Sequence, residues 1–162
     1  MGTMKIIFLD FDGVMNPETF HGVRRLAGFR TEDEDGIPVF APAAVRNLKY
    51  IVDRTGAAIV ITSDWRLFGK ESMSSLWKRR NLPGVVLDIT PYQMERRGEL
   101  SRIRGEEIKS WMDSSDMSIS AYVIIDASGE LQDYQFAHLV KTNAKIGLTR
   151  QLAEKAIVIL SE

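Results

Sequence analysis

The chain has 162 residues, 44% of them apolar and 27% charged, which suits one soluble globular core. Its formal charge of -1 gives no general attraction to nucleic acid or membranes, so any anion site must be local. The absence of cysteine excludes disulfides, thiolate metal centres and cysteine nucleophiles. No apolar run reaches the ~18 residues of a membrane span, and the N-terminus lacks a basic start with an apolar signal core. A cytoplasmic protein with no membrane attachment is therefore expected. Met1, Gly2 and Thr3 precede the first strong pattern and read as an expression remnant, leaving 4–162 as one expected domain.

Lys5 to Leu9 is a short apolar run that stops at acidic residues and glycine, as a buried strand entering a functional loop does. Residues 15–41 carry Asn16-Pro17, Gly22, Gly28, the acidic run Glu32 to Asp35, Gly36 and Pro38, which predicts a long insertion with a hairpin. Pro42 opens a helix with Val45, Leu48, Ile51 and Val52 at helical spacing, and Gly56 closes it. Ala57 to Ile61 reads as a strand ending in Thr62-Ser63-Asp64. A helix over Lys70 to Arg80 buries Met73, Leu76 and Trp77, and Pro83-Gly84 separates it from a strand over Val85 to Ile89.

An arginine-rich connection, Thr90 to Ile103, leads to a helix from about Gly105 to Met112. Ala121 to Ile125 is a fourth apolar run, ending at Asp126; Leu139-Val140 is a short last strand, and Thr149 caps a helix through Leu160. Strands alternating with helices predict an α/β domain, three layers deep, with a mainly parallel sheet covered on both faces. Ligands bind outside the carboxyl ends of such strands. Asp10 to Gly13, Thr62-Ser63 and Asp126 all lie at those ends.

Two carboxylates at a strand exit, followed by a glycine that permits a sharp turn, can share a divalent cation and still do separate work. Magnesium takes oxygen ligands, often one or two carboxylates plus a substrate phosphate, and Asp10, Asp126 and a carbonyl near Asp12 make such a set. The plainer alternative is that Asp10 and Asp12 end a strand and cap a turn. Thr62 and Ser63 offer hydroxyls and amides to a phosphate, or cap a turn themselves. Arg66 can clamp a phosphate or pair with Asp64. Arg104, at or just ahead of a helix N-terminus, opposes the dipole of that helix, a mismatch relieved by a bound phosphate dianion. Arg96, Arg97 and Arg102 can compete for that role or stand as solvated loop arginines.

In this order the segments resemble the four motifs of the haloacid dehalogenase (HAD) superfamily. Phe8 to Val14 is similar to the first motif, Ile59 to Ser63 to the second, Arg104 to Ile108 to the third and Val123 to Asp126 to the fourth. Thr62 to Arg66, Asp88 to Pro91 and Arg104 to Trp111 most resemble the phosphatase-type domains of bacterial RNA-repair proteins and their stand-alone relatives. The resemblance implies a Rossmann-like HAD fold with 14–41 as a flap or small cap. It also implies a magnesium-dependent phosphatase in which Asp10 is the nucleophile and Asp12 the general acid and base. Thr62, Ser63 and Arg104, with Arg66, would bind phosphate, and Asp10, Asp12, Asp126 and Glu130 would serve the metal. The substrate would be a phosphorylated small molecule or a nucleic-acid end. One departure stands out: the acid that often follows the first in the fourth motif is replaced by Ala127-Ser128-Gly129, which leaves Glu130 or Asp133 to take that part.

Two other classes fit parts of the pattern. A module that binds phosphorylated ligands without turnover is suggested by Ala127; a receiver-like domain would need a phosphoacceptor on a middle strand, which Asp88 does not offer. Lys78-Arg79-Arg80 and Arg96-Arg97, near Trp77 and Tyr92, form either a basic and aromatic track for nucleic acid or ordinary solvated charges. His21 and His138 have no partner at ligand spacing and read as structural, while Trp65 lies near enough to the second motif to border a substrate.

Overall fold

The computed structural model describes residues 2–92 and 103–162. Five parallel strands, β1 (Met4–Leu9), β2 (Ala58–Ile61), β3 (Val86–Ile89), β4 (Ile119–Asp126) and β5 (Leu139–Lys141), form one sheet in the order β3-β2-β1-β4-β5. Between them run α1 (Glu18–Leu26), α2 (Pro42–Thr55), α3 (Lys70–Arg79) and α4 (Ile103–Ser114), and α5 (Arg150–Ser161) follows β5. The three-layer α/β arrangement read from the sequence is the one observed.

The central strand shows why its sequence is an unbroken apolar run. Ile7 and Leu9 join the core under α2, α3 and α5, whereas Ile6 and Phe8 join the core under α4 with Ile108 and Trp111. With both faces covered, alternation disappears, and each such side chain contributes roughly 1.5–3 kcal/mol on burial. Helix α2 begins with Pro42 in its first turn and ends at Gly56, whose φ of 66° closes the helix in the left-handed conformation. Thr149 accepts a hydrogen bond from Leu152 N at the start of α5.

Residues 15–41 hold more than a hairpin. Helix α1 has no fully buried residue: Phe20 packs partly buried against the core, while Val23 and Leu26 are exposed. The hairpin-like turn follows, with a bridge between Glu32 and Pro38. It is fastened to the end of α3: Arg80 donates to Asp33 Oδ2 (2.7 Å) and the Pro38 carbonyl (2.9 Å) and lies over the Phe40 ring, and Arg79 pairs with Asp35. Arg79 and Arg80 therefore balance the acids of the insertion, and Trp77 is buried with its indole N–H on the Pro83 carbonyl. Of the basic and aromatic track, these residues are accounted for by packing, and Arg96 and Arg97 lie outside the described residues.

Candidate active site

The parallel register sets one row of polar residues across the sheet, one step beyond the apolar strands. Leu9 pairs with Ile61 on one side and with Ile125 on the other. Thr62 N donates to the Leu9 carbonyl, Asp10 N to the Ile125 carbonyl and Thr90 N to the Ile61 carbonyl. Thr90, Thr62, Asp10 and Asp126 thus stand side by side, all buried. The order of strands, with β1 between β2 and β4, is what brings the first, second and fourth motifs together.

After Asp10 the chain turns at once. The Phe11 carbonyl accepts from Val14 N and Met15 N, and Gly13 has φ of 78°. A Cβ at Gly13 would lie 3.0 Å from the Cβ atoms of Ala127 and Ala144, and Thr142 Oγ1 donates to the Gly13 carbonyl. Ala127 therefore packs against the turn that presents Asp12. Asp12 itself is exposed, and Asn16 Nδ2 donates to its Oδ1 at 2.8 Å.

Arg104 sits in the first turn of α4, at the helix N-terminus. Its Nε lies 3.3 Å from Asp126 Oδ2, and its Nη2 4.0 Å from Asp10 Oδ1 and 4.0 Å from Asp64 Oδ1. These are ion pairs rather than hydrogen bonds: Arg104 Nε and Nη1, Asp126 Oδ2 and Thr62 Oγ1 are buried without a hydrogen-bond partner. Burial, and after it the charge of Asp126, raises the Asp10 carboxyl to about 7 against the opposing pull of Arg104 and the Phe11 N–H.

The closeness of α4 to this row depends on Gly105. A Cβ there would fall 2.7 Å from Gln132 N and 2.9 Å from Leu131 Cα, and nearer still to Gln135 Oε1. Gly105 N donates to the Glu130 carbonyl, and buried Gln135 joins Gln132 N to the Gly105 carbonyl.

Arg66 is not a phosphate clamp. It is buried, and its guanidinium donates to the carbonyls of Thr62 (2.5 Å), Ser63 (2.9 Å), Thr90 (3.0 Å) and Pro91 (3.4 Å) and to Glu107 Oε2. It also forms the ion pair with Asp64 that the sequence suggested, at 3.5 Å. Sequence reading missed Glu107, although the signal was present: a carboxylate within the stripe formed by Arg104, Ile108 and Trp111, all buried on α4. Ser63 caps the turn that follows it, accepting from Trp65 N at 3.3 Å. Trp65 packs edge-on to Phe11 at 5.1 Å.

Glu130 and Asp133 are exposed, and Glu130 takes part through its backbone. Among the described residues no three His, Cys, Asp or Glu side chains converge as a metal group, so Glu130 does not join Asp10 and Asp126. What remains is a two-carboxylate site, and it fits a divalent cation. Asp10 and Asp126 place two buried negative charges beside one guanidinium, and one of their oxygens is unpartnered. Ser128 N donates to the other oxygen of Asp126.

Asp88, on the edge strand β3, accepts from Trp111 Nε1 at 2.8 Å, which excludes the receiver-like reading. His138 stacks on Tyr122 and is structural as expected. His21 is not isolated: with Asp12, Asn16 and Arg25 it lines a cleft of about 490 Å³. Two larger clefts, about 660 and 710 Å³, border the insertion and α3 and include neither Asp10 nor Arg104. Arg102, like Arg96 and Arg97, lies outside the described residues. Among the described residues no helix is long and apolar enough to cross a membrane.

Comparison with curated proteins gives no match, and comparison with solved structures gives none either. Residues 6–153 match the model of the HAD domain in Swiss Army Knife RNA repair proteins, a span that contains all four motifs and all of the sheet but the first two residues of β1, and the chain belongs to that family.

Proposed function

We propose that the protein is a phosphomonoesterase that works through an aspartyl phosphate on Asp10. The observation that carries this reading is the grouping of Asp10, Asp126, Thr62 and Arg104, in which buried donors and buried acceptors stand side by side without satisfying one another. The Arg104 N–H groups and the Thr62 hydroxyl suit phosphoryl oxygens; the two carboxylates suit a cation. Asp10, Asp126 and the backbone carbonyl beside Asp12 would hold magnesium, which would offset the negative charge gathered on the phosphoryl group.

Asp10 Oδ attacks phosphorus as the bond to the ester oxygen breaks, and Asp12 gives that oxygen its proton. A water then attacks the same phosphorus, Asp12 takes its proton, and the bond to Asp10 breaks to release inorganic phosphate. The exposure of Asp12, against the burial of Asp10, suits a group that trades protons with a departing alcohol and with water. Thr62 and Arg104 hold the transferring group in place, where fixed donors stabilise charge at little reorganisation cost. Belonging to an RNA-repair family of domains makes phosphorylated nucleotides and nucleic-acid ends reasonable substrates beside small phosphate esters.

The test is phosphate release from an aryl phosphate, a nucleotide panel and phosphorylated RNA ends, with and without magnesium. Release that depends on magnesium and disappears in Asp10→Asn supports the proposal. No release by the parent protein, or undiminished release by Asp10→Asn, rejects it.

A further inference from the structure

Asp12 is exposed, so the packing of its own side chain does not fix it; its place depends on the turn that carries it. That turn is closed from within by the Phe11 carbonyl, which accepts from Val14 N at 3.0 Å and from Met15 N at 2.8 Å. From outside it is held by the loop that follows β5. Thr142 Oγ1 donates to the Gly13 carbonyl at 2.8 Å, and Leu148 N donates to the Val14 carbonyl at 2.9 Å. Ala144 lies so close to Gly13 that an added Cβ there would be 3.0 Å from it.

Thr142 is anchored at its other end to the strand that carries Asp126. The last ladder pair of β4 and β5 is Asp126 with Lys141, and Thr142 N donates to the Asp126 carbonyl at 3.0 Å. Because β4 lies between β1 and β5, the Thr142 side chain reaches past the end of β4 to the turn beyond β1. One residue thus ties the backbone of Asp126 to the carbonyl one peptide beyond Asp12. Thr142 is only 4% exposed, and a hydroxyl so placed is costly unless it is bonded. A valine would fill the same space at a strand end, so the hydroxyl answers to the Gly13 carbonyl rather than to packing. Branching at Cβ leaves few χ1 states, which makes the link stiff.

Resting on the phosphomonoesterase reading, we propose that Thr142 is a positioning residue for Asp12. It touches no substrate; through the turn it sets where the general acid and base stands relative to Asp126 and to the phosphorus that Asp10 attacks. Proton transfer depends steeply on distance and angle, so a slack turn slows the step that Asp12 serves more than the attack by Asp10.

The leaving group separates those two effects. An alkoxide needs the Asp12 proton to depart, whereas p-nitrophenolate departs nearly without it. With magnesium present, kcat/KM is measured for glycerol phosphate and p-nitrophenyl phosphate in the parent, Thr142→Val, Thr142→Ser and, as the benchmark for a lost acid, Asp12→Asn. Thr142→Val is expected to lower the value about tenfold for the alkyl ester and less than about threefold for the aryl ester. Thr142→Ser, which keeps the hydroxyl, recovers most of the loss. Thr55→Val removes another threonine hydroxyl, one that donates to the Ile51 carbonyl at the end of α2, and should leave the ratio of the two esters unchanged.

Amide exchange without magnesium supplies a readout apart from turnover. The Val14 and Met15 amides are expected to exchange about tenfold faster in Thr142→Val than in the parent, and to be unaffected in Thr55→Val. Should Thr142→Val fail to fold, Thr142→Ala carries the same comparisons. Equal losses for the two esters, or unchanged exchange at Val14 and Met15, overturn the inference. A parent inert on both esters, with the expected change in exchange, rejects the enzyme reading alone and leaves Thr142 as the brace of the turn.

Discussion

Nη2 of Arg66 donates to Oε2 of Glu107 in the interior, where the two side chains are 1% and 0% exposed. The same guanidinium holds the carbonyls of Thr62 and Ser63, so the pair ties the end of β2 to the helix that carries Arg104, one turn away from Glu107. Removing either partner leaves a buried charge and is expected to lower stability by about 3 kcal/mol. In a double-mutant cycle measured by urea unfolding, Arg66→Ala with Glu107→Ala should cost little more than the worse single change. Additive losses would show that the two residues act independently.

Asp10 makes the magnesium-free protein less stable as pH rises. Its folded pKa of about 7 exceeds the ordinary 3.8, so the folded state binds more protons between those values. Stability is then full below about pH 4 and declines through pH 7, the reverse of an acid in a salt bridge. Asp10→Asn should flatten this slope and stabilise the protein at pH 8 by on the order of 2–4 kcal/mol. Thermal unfolding with a chelator at pH 4 to 8 measures both; a parent that gains stability over that range contradicts the account.

Magnesium should act in the opposite sense. A cation held by ionised Asp10 and Asp126 binds the folded state and raises Tm, more at pH 8 than at pH 5, where it competes with the Asp10 proton. Asp126→Asn should abolish most of the rise. An equal rise in that variant would place the ion elsewhere.

Thr62 Oγ1 is buried without a hydrogen-bond partner, so Thr62→Val keeps the shape and discards an unmet polar atom. The variant should be as stable as the parent or up to about 1 kcal/mol more so. Phosphatase turnover should nevertheless fall at least ~10-fold, through loss of a donor to the phosphoryl group. Unchanged turnover would remove Thr62 from the proposed mechanism.

Gly105 and Gly22 both lie within helices but in opposite surroundings. An added methyl group at Gly105 meets Leu131, Gln132 and Gln135, whereas Gly22 has nothing within 4 Å. Gly105→Ala should displace the start of α4, cost about 2 kcal/mol and weaken phosphate binding through Arg104. Gly22→Ala, in exposed α1, should stabilise by up to ~1 kcal/mol. Thermal melts of the two variants make the comparison, and similar effects at both sites would contradict it.

The elements that bury a face were legible in the residue pattern. The apolar run ending at Leu9, the helical spacing of Leu48 and Ile51 before Gly56, and Thr149 ahead of α5 mark elements observed within a few residues of their expected ends. Helix α1 was not legible, because only Phe20 packs against the core, and that partly buried, while Val23 and Leu26 are exposed and extend no core-facing period. The same limit applied to side chains whose partners are remote in sequence. Arg66 pairs with Asp64, two residues away, as the sequence suggested, but the buried carboxylate it also meets, Glu107, is 41 residues away and was not foreseen.

By itself the sequence determined an α/β chain with Asp10, Thr62 and Asp126 at strand ends, because apolar periodicity and its interruption are local properties. Tertiary structure alone decided that these residues share one row, that Arg104 stands over Asp10 and Asp126, that Arg66 turns inward to Glu107 and that Glu130 does not join the carboxylates. Those outcomes depend on strand order, on the close approach allowed by Gly105 and on burial, all of which arise from contacts between segments far apart in the chain.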